Sequence, residues 1–312
     1  MKAYSKYFWL SVLLFLPYIG ATQVLDGAYA REHVPKREPV QYQPIREADA
    51  MYSKKILRVI EMTEKINHPL YFPITRITYP AGEGFQPQRH RVNLLYLIYH
   101  MGVLGKHYDF HTGREVAEEV PDYSRRLPVF ELYPGDISNW YRSPIPVEAT
   151  YRDSLLSYTE TIREEDQFGD LVDRTIPVLM PDTRDMTKLW IWEEWFFDRQ
   201  RSVMDARIIA IAPDGWVMAG EQEQRVWPFW IYYPDYRELM ASNEVFNPQN
   251  EAERRTFDDI FFKRRFSSYV VAEKNVYDNR LIEDYLLGID AIREGERIQD
   301  LLFRFEHDQW EY

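Results

Sequence analysis

No cysteine occurs in these 312 residues, and the first 22 read as an export signal; together the absence and this expectation restrict the fold more than any other feature. An exported protein without disulfides is held by burial of apolar surface alone, so this chain needs one extended core or two smaller ones. Thiolate catalysis, thiolate zinc sites and iron–sulfur clusters are excluded by the same absence. The export signal is read from Lys2 and Lys6, from the apolar stretch 8–19 broken only by Ser11 and Pro17, and from the small residues Gly20, Ala21 and Thr22. A bilayer span needs roughly 20 apolar residues, which this stretch does not reach. Residues 1–22 are therefore expected to be a cleaved signal peptide, with cleavage after Ala21 or Thr22; Ala28-Tyr29-Ala30 also fits the small-x-small rule but lies far from the apolar run. No Cys follows that run, so the lipoprotein route is closed and the expected compartment is the periplasm.

A formal net charge of −12 argues against nucleic acid, whose phosphates require a basic face. Nine Trp, 23 Tyr and 17 Phe supply 16% of the residues, enough either to fill a large core or to furnish the aromatic anchors of a protein interface. Such rings also stack on sugars.

Residues 23–45 carry Pro35, Pro39 and Pro44 among charges and without periodicity, which predicts an extended, proline-rich arm. Over 46–67 the apolar positions Tyr52, Ile56, Val59, Ile60, Thr63 and Ile66 recur at helical spacing, and Asn67-His68-Pro69 would end that helix. Residues 71–79 read as a strand, 92–104 as a helix and 106–110 as a strand, while 121–146 is weakly patterned. A helix is expected over 148–165 and extended chain over 175–179. From Lys188 the pattern changes to strands at 189–197, 205–212 and 228–233, separated by turns at 198–204, 214–215 and 220–224. Thr256 is the expected N-cap of a helix reaching about Ser268, with Asp258 and Asp259 at its positive end. A last helix is expected from Asp278 or Asn279, with the apolar stripe Ile282, Leu286, Ile289, Ile292, Ile298, Leu301, Leu302 and Phe305. The fold class these elements imply is α+β, an antiparallel β meander flanked by helices, with an extended N-terminal arm and a helical C-terminal region. One domain over 46–312 is expected, with a subdivision into 46–185 and 186–312 left open.

Several strings are too specific to be generic. They are residues 46–51 and 66–71, Glu-Trp-Phe-Phe-Asp-Arg-Gln-Arg-Ser-Val-Met over 194–204, 207–213, Arg-Thr-Phe-Asp-Asp over 255–259 with the aromatic and basic run to Tyr269, 275–278, and Phe-Glu-His-Asp-Gln-Trp over 305–310. In these the chain resembles the GldN/PorN family of the type IX secretion and gliding-motility machinery. Residues 109–185 carry no motif of that family, and Tyr52 stands where the family is associated with Trp. The resemblance implies a non-enzymatic component of a periplasmic ring, self-associated and bound to an outer-membrane lipoprotein of the GldK/PorK type. That ring meets the periplasmic part of a GldL–GldM (PorL–PorM) motor, and membrane contact would come only through the lipoprotein. No cofactor is implied.

Trp195, Phe196, Phe197, Arg199 and Arg201 join a strand to a turn and are expected to find burial on a partner, as are Arg264, Arg265 and Trp310. The arm 23–45 is expected to reach a partner for the same reason, having little apolar surface of its own. Enzymatic arrangements are weaker. His107, Asp109 and His111 alternate along one expected strand near His100 and read as surface residues rather than metal ligands. Glu193 and Glu194 lie among Trp190, Trp192 and Trp195 and resemble a carboxylate pair beside sugar-stacking rings, but adjacent strand residues point to opposite faces. Neither a phosphate-binding Gly-rich loop nor a Gly-x-Ser-x-Gly elbow occurs. The alternative function is a periplasmic carbohydrate-binding module or glycosidase.

Overall fold

The computed structural model describes residues 37–72, 93–104, 129–131, 157–165, 171–179, 186–219, 222–226, 229–245, 247–250, 253–276 and 279–308. Residues Glu38–Tyr312 form one compact unit. In chain order the strands are β1 (Ala50–Glu61), β2 (Val129–Glu131), β3 (Ser157–Glu165), β4 (Leu171–Leu179), β5 (Lys188–Asp198) and β6 (Val203–Ala219), followed by β7 (Gln222–Val226), β8 (Phe229–Tyr232), β9 (Glu244–Val245), β10 (Arg255–Thr256) and β11 (Tyr269–Glu273). Seven of them make one sheet in the order β11-β1-β5-β6-β8-β2, with β7 paired to β6 off that path. Its ladders are antiparallel. β3 pairs with β4, and β9 with β10, as separate two-stranded ladders. With helices against the sheet and a helical C-terminal region, the fold is α+β, as the patterning predicts.

The largest departure from expectation is β1. Helical spacing predicts a helix over 46–67, but the segment is a strand between β11 and β5. Ile56, Leu57, Val59 and Ile60 are all buried because an internal strand is covered on both faces. A run that is apolar on both faces lacks the alternation that identifies a strand and mimics the buried side of a helix.

Register then decides what each sheet face carries. In the β1–β5 ladder Ile60 stands opposite Leu189, Arg58 opposite Ile191 and Ile56 opposite Glu193. One face therefore presents Ile60, Leu189 and Ile191, then Arg58 and Glu193 on a diagonal, then Ile56. The apolar part around Ile60 and Ile191 packs under the residues of 94–103 and the helices Tyr233–Ser242 and Phe257–Phe262. Ile56 and Val270 pack with Ile298 and Leu302 of the C-terminal helix Ile289–Asp308. The opposite face carries Leu57, Val59, Trp192 and Trp230 against Ala210, Ala212 and Ala272. Ala210 faces Trp192 and Ala212 faces Trp190 across the ladder, so small residues make room for large rings.

Further differences have local causes. The helix expected over 148–165 is replaced, in its described part, by β3, whose register sets Thr161 opposite Thr175 and Arg163 opposite Asp173; the β-branched residues Thr159, Thr161 and Ile162 favour a strand over the helix-forming glutamates. The extended reading of 175–179 holds, within β4. The turn expected at 214–215 is a change of partner rather than of direction: Asp214 pairs with Lys188 of β5 and Gly215 with Val226 of β7. After β8 the chain enters the helix Tyr233–Ser242, with proline in its first turn, which periodicity did not predict.

Thr256 does cap a helix through a reciprocal capping box with Asp259, but the helix is only Phe257–Phe262. Arg264, at φ 52°, turns the chain out of it. The last helix begins at Ile289, not 278 or 279. Asn275 and Asn279 exchange backbone-to-side-chain hydrogen bonds of 2.9 and 3.1 Å, and Gly288 sits at φ 61°, both of which favour turns over a continuous helix. The helix expected over 92–104 is present as Leu94–Tyr96 continuing into a π-helical segment Leu97–Leu104. The strand over 71–79 is contradicted at Tyr71, which closes the short helix His68–Tyr71; residues 73–79, 106–110 and Trp310 lie outside the described residues, as do His107, Asp109 and His111.

Candidate partner-binding surface

The segment 195–201 combines residues that the chain buries itself with residues it leaves exposed. Phe196 and Phe197 are 6% and 4% exposed. Phe197 meets the ring of Phe305 edge-on at 5.9 Å, and the Arg207 guanidinium lies 5.3 Å from the Phe196 ring centre. The expectation that these two rings find burial on a partner is thus corrected: the C-terminal helix and β6 already cover them. Beyond them the turn is tightly wired. Asp198 accepts from the Gln200 amide at 2.9 Å and from Arg201 Nε at 2.5 Å, and Arg201 Nη2 reaches Asp205 at 3.1 Å. The Arg201 hydrogen bond holds the Asp198 carboxyl below its usual pKa. Arg199 is exposed, and its guanidinium has no partner among the described residues.

Trp195 and Arg264 belong to a different arrangement. Glu193 is fully buried, and its carboxylate takes the Arg264 guanidinium in bidentate fashion at 2.7 and 3.1 Å. Trp195 Nε1 donates to the same carboxylate at 2.7 Å, and Arg58 Nε stands 3.6 Å away. Arg58 also donates to the Ser268 hydroxyl at 2.8 Å and to Gln299 at 3.3 Å. Burial, countered by Glu193 and reinforced by Arg264, lowers the Arg58 pKa. One buried carboxylate thus ties β1, β5, the loop after Phe262 and the C-terminal helix together. Arg264 faces inward, over the Trp195 and Phe266 rings, whereas Arg265 is exposed and 3.9 Å from Glu253. Glu194 turns to the other face and accepts from Ser53 at 2.5 Å, so Glu193 and Glu194 do not form an acid–base pair.

The arm also docks on its own chain. Residues 37–46 adopt no helix or strand, yet the Tyr42 ring has the Arg237 guanidinium 4.1 Å and the Arg207 guanidinium 5.1 Å from its centre and stacks on Phe262 at 5.8 Å. Arg237 donates to the Val40 carbonyl at 2.6 Å and Arg207 to the Gln43 carbonyl. Arg237 is held in turn by buried Asp258 at 2.8 and 2.9 Å. The expectation that the arm has too little apolar surface to pack on its own domain is therefore corrected at Val40, Tyr42 and Gln43.

Apolar surface remains exposed along the C-terminal helix. Leu287 is 83%, Ile289 67%, Ile292 65% and Phe303 65% exposed. A groove of about 690 Å³ runs between this helix and β11, floored by Val270, Ile282 and Ala291. A second cleft of about 430 Å³, lined by Arg264, Trp195, Leu302 and Phe303, adjoins it, since Ser268 and Gln299 line both. The stripe of apolar residues in the sequence is wider than one buried helix face, and that excess was the legible sign of this surface. The inward wiring of Glu193 had no such sign.

Among the described residues no helix is long and apolar enough to cross a membrane. No curated protein matches the sequence. The family model described as gliding motility associated protein GldN matches residues 45–311, which include β1, the Glu193 cluster and the whole C-terminal helix. The chain belongs to the GldN family, which is associated with gliding motility and type IX secretion.

Proposed function

We propose that the protein is a non-enzymatic structural component of the type IX secretion and gliding-motility machinery. It is exported by its cleaved leader, associates in the periplasm with an outer-membrane lipoprotein of the GldK/PorK type, self-associates with it in a ring, and contacts the periplasmic domain of a GldM/PorM-type motor. The family match over residues 45–311 carries this proposal. Exposed apolar residues on the C-terminal helix, with Arg199 exposed and unpaired among the described residues, supply surface of the kind that protein partners cover.

The carbohydrate-binding or glycosidase alternative loses its best candidate, because the oxygens of Glu193 are committed to Arg264 and Trp195 while Glu194 lies on the other sheet face. Co-purification of the tagged mature chain from detergent-solubilised envelopes tests the proposal. The expected outcome is recovery of the GldK/PorK-type lipoprotein, with chromogenic glycosides hydrolysed only at background rate and no binding to insoluble glycan. Recovery of the chain alone, together with glycan binding or hydrolysis, would replace the scaffold by the enzyme or binding module.

A further inference from the structure

The C-terminal helix uses one stripe, Gly295, Ile298 and Leu302, to pack on β11 and β1. At Gly295 the approach is so close that a Cβ would lie 2.8 Å from the Val270 carbonyl oxygen. That contact seats the helix directly against the backbone of β11, a strand at the end of the sheet order. What stays open is the flank beside the contact. It runs along the helix from Gly288 to Glu306, about 27 Å at the usual helical rise. Leu287 and Ile292 stand at one end of it and Phe303 toward the other, all largely exposed.

The charge lining the groove between the helix and β11 is one-sided. Glu283 and Glu296 line the groove, are exposed, and take part in no hydrogen bond or ion pair among the described residues. Glu283 and Glu64 add to the field of Glu61 at Tyr269, on the same rim. Among the described residues no basic side chain lines the groove; on the helix, Arg293 lies 3.6 Å from Asp290, and Arg297 lies 2.5 Å from Glu294. Arg58 and Arg264, which line the adjoining cleft, are both committed to Glu193. An occupant that satisfies this surface needs large apolar side chains for the groove and positive charge for its rim.

We infer that the groove between the C-terminal helix and β11 docks an amphipathic segment of a partner protein, one whose apolar side chains are flanked by Lys or Arg. This deepens the proposed function and rests on it, since it supplies one docking surface for the machinery. Leu287 and Ile292 anchor the segment, and Glu283 and Glu296 fix its register. Because these side chains are exposed in the chain by itself, replacing them leaves the fold intact.

The test uses the full mature chain in the detergent-extracted assembly. A benzoylphenylalanine in place of Leu287 should cross-link to another protein, at a peptide with apolar residues beside Lys or Arg. Leu287→Glu with Ile292→Glu should lower the co-purified partner about tenfold or more. Glu283→Lys with Glu296→Lys should do the same, while unfolding midpoints stay at the wild-type value. Cross-links to a second copy of this chain or to phospholipid overturn the inference, as do wild-type partner yields in both double variants. A wild-type chain that recovers no partner defeats the machinery proposal and this inference with it; a wild-type chain that recovers its partner while the variants do so equally defeats the inference alone.

Discussion

Within the sequence 194–204 neighbouring residues have opposite tasks, and burial separates them. Phe197 is 4% exposed and packs on Phe305, whereas Arg199, two residues later, is exposed and unpaired among the described residues. Phe197→Ala should therefore cost about 3–5 kcal/mol of stability, the usual loss for a buried aromatic ring, and show as a lower urea midpoint. Arg199→Glu should change stability by no more than about 0.5 kcal/mol and act, if anywhere, on association. Equal midpoints for Phe197→Ala and wild type would mean that the ring is not core. The composition could not make this distinction, because a string of aromatic and basic residues looks the same whether a neighbouring helix or another molecule covers it. Arg264 shows the converse: the sequence places it on an exposed helix face, but a left-handed turn at that residue sends its guanidinium inward to Glu193.

At the scale of elements, what was legible in the sequence followed from local chemistry. The N-cap at Thr256, the strands from Lys188 onward and the helix after Asn93 needed only neighbours in the chain to be identified. β1 was not legible, because its two-sided burial depends on β5, β11 and the layers packed on the sheet, all distant in sequence. The start of the last helix was missed for a smaller reason: the apolar stripe continues through 282–286, but the asparagine pair and Gly288 interrupt the backbone. Its seat on β11 turns on one position. Gly295→Ala places a methyl group against the backbone oxygen of Val270, so the helix must lift or shift. Overpacking of this kind costs about 1–3 kcal/mol. The variant should unfold at lower urea and exchange the amides of 289–308 faster, whereas Gly288→Ala, with open space around it and a strained φ, should act on the helix start alone. Unchanged exchange in Gly295→Ala would show that the helix does not lie against the strand as described.

For the whole molecule, the antiparallel sheet supplies a rigid frame, the Glu193 cluster ties the C-terminal helix to it, and the residues around Tyr42 strap the arm to the same unit. A frame built in this way holds an exposed apolar flank in a fixed position, which suits a part that docks. Membership of the GldN family places that part in gliding motility and type IX secretion. The most direct test is reconstitution: the purified mature chain is mixed with the GldK/PorK-type lipoprotein in detergent, and the mass of the product is measured by light scattering and its shape by electron microscopy. A closed ring containing both proteins, many times heavier than either, is the predicted result; two unassociated species at their separate masses would contradict the account.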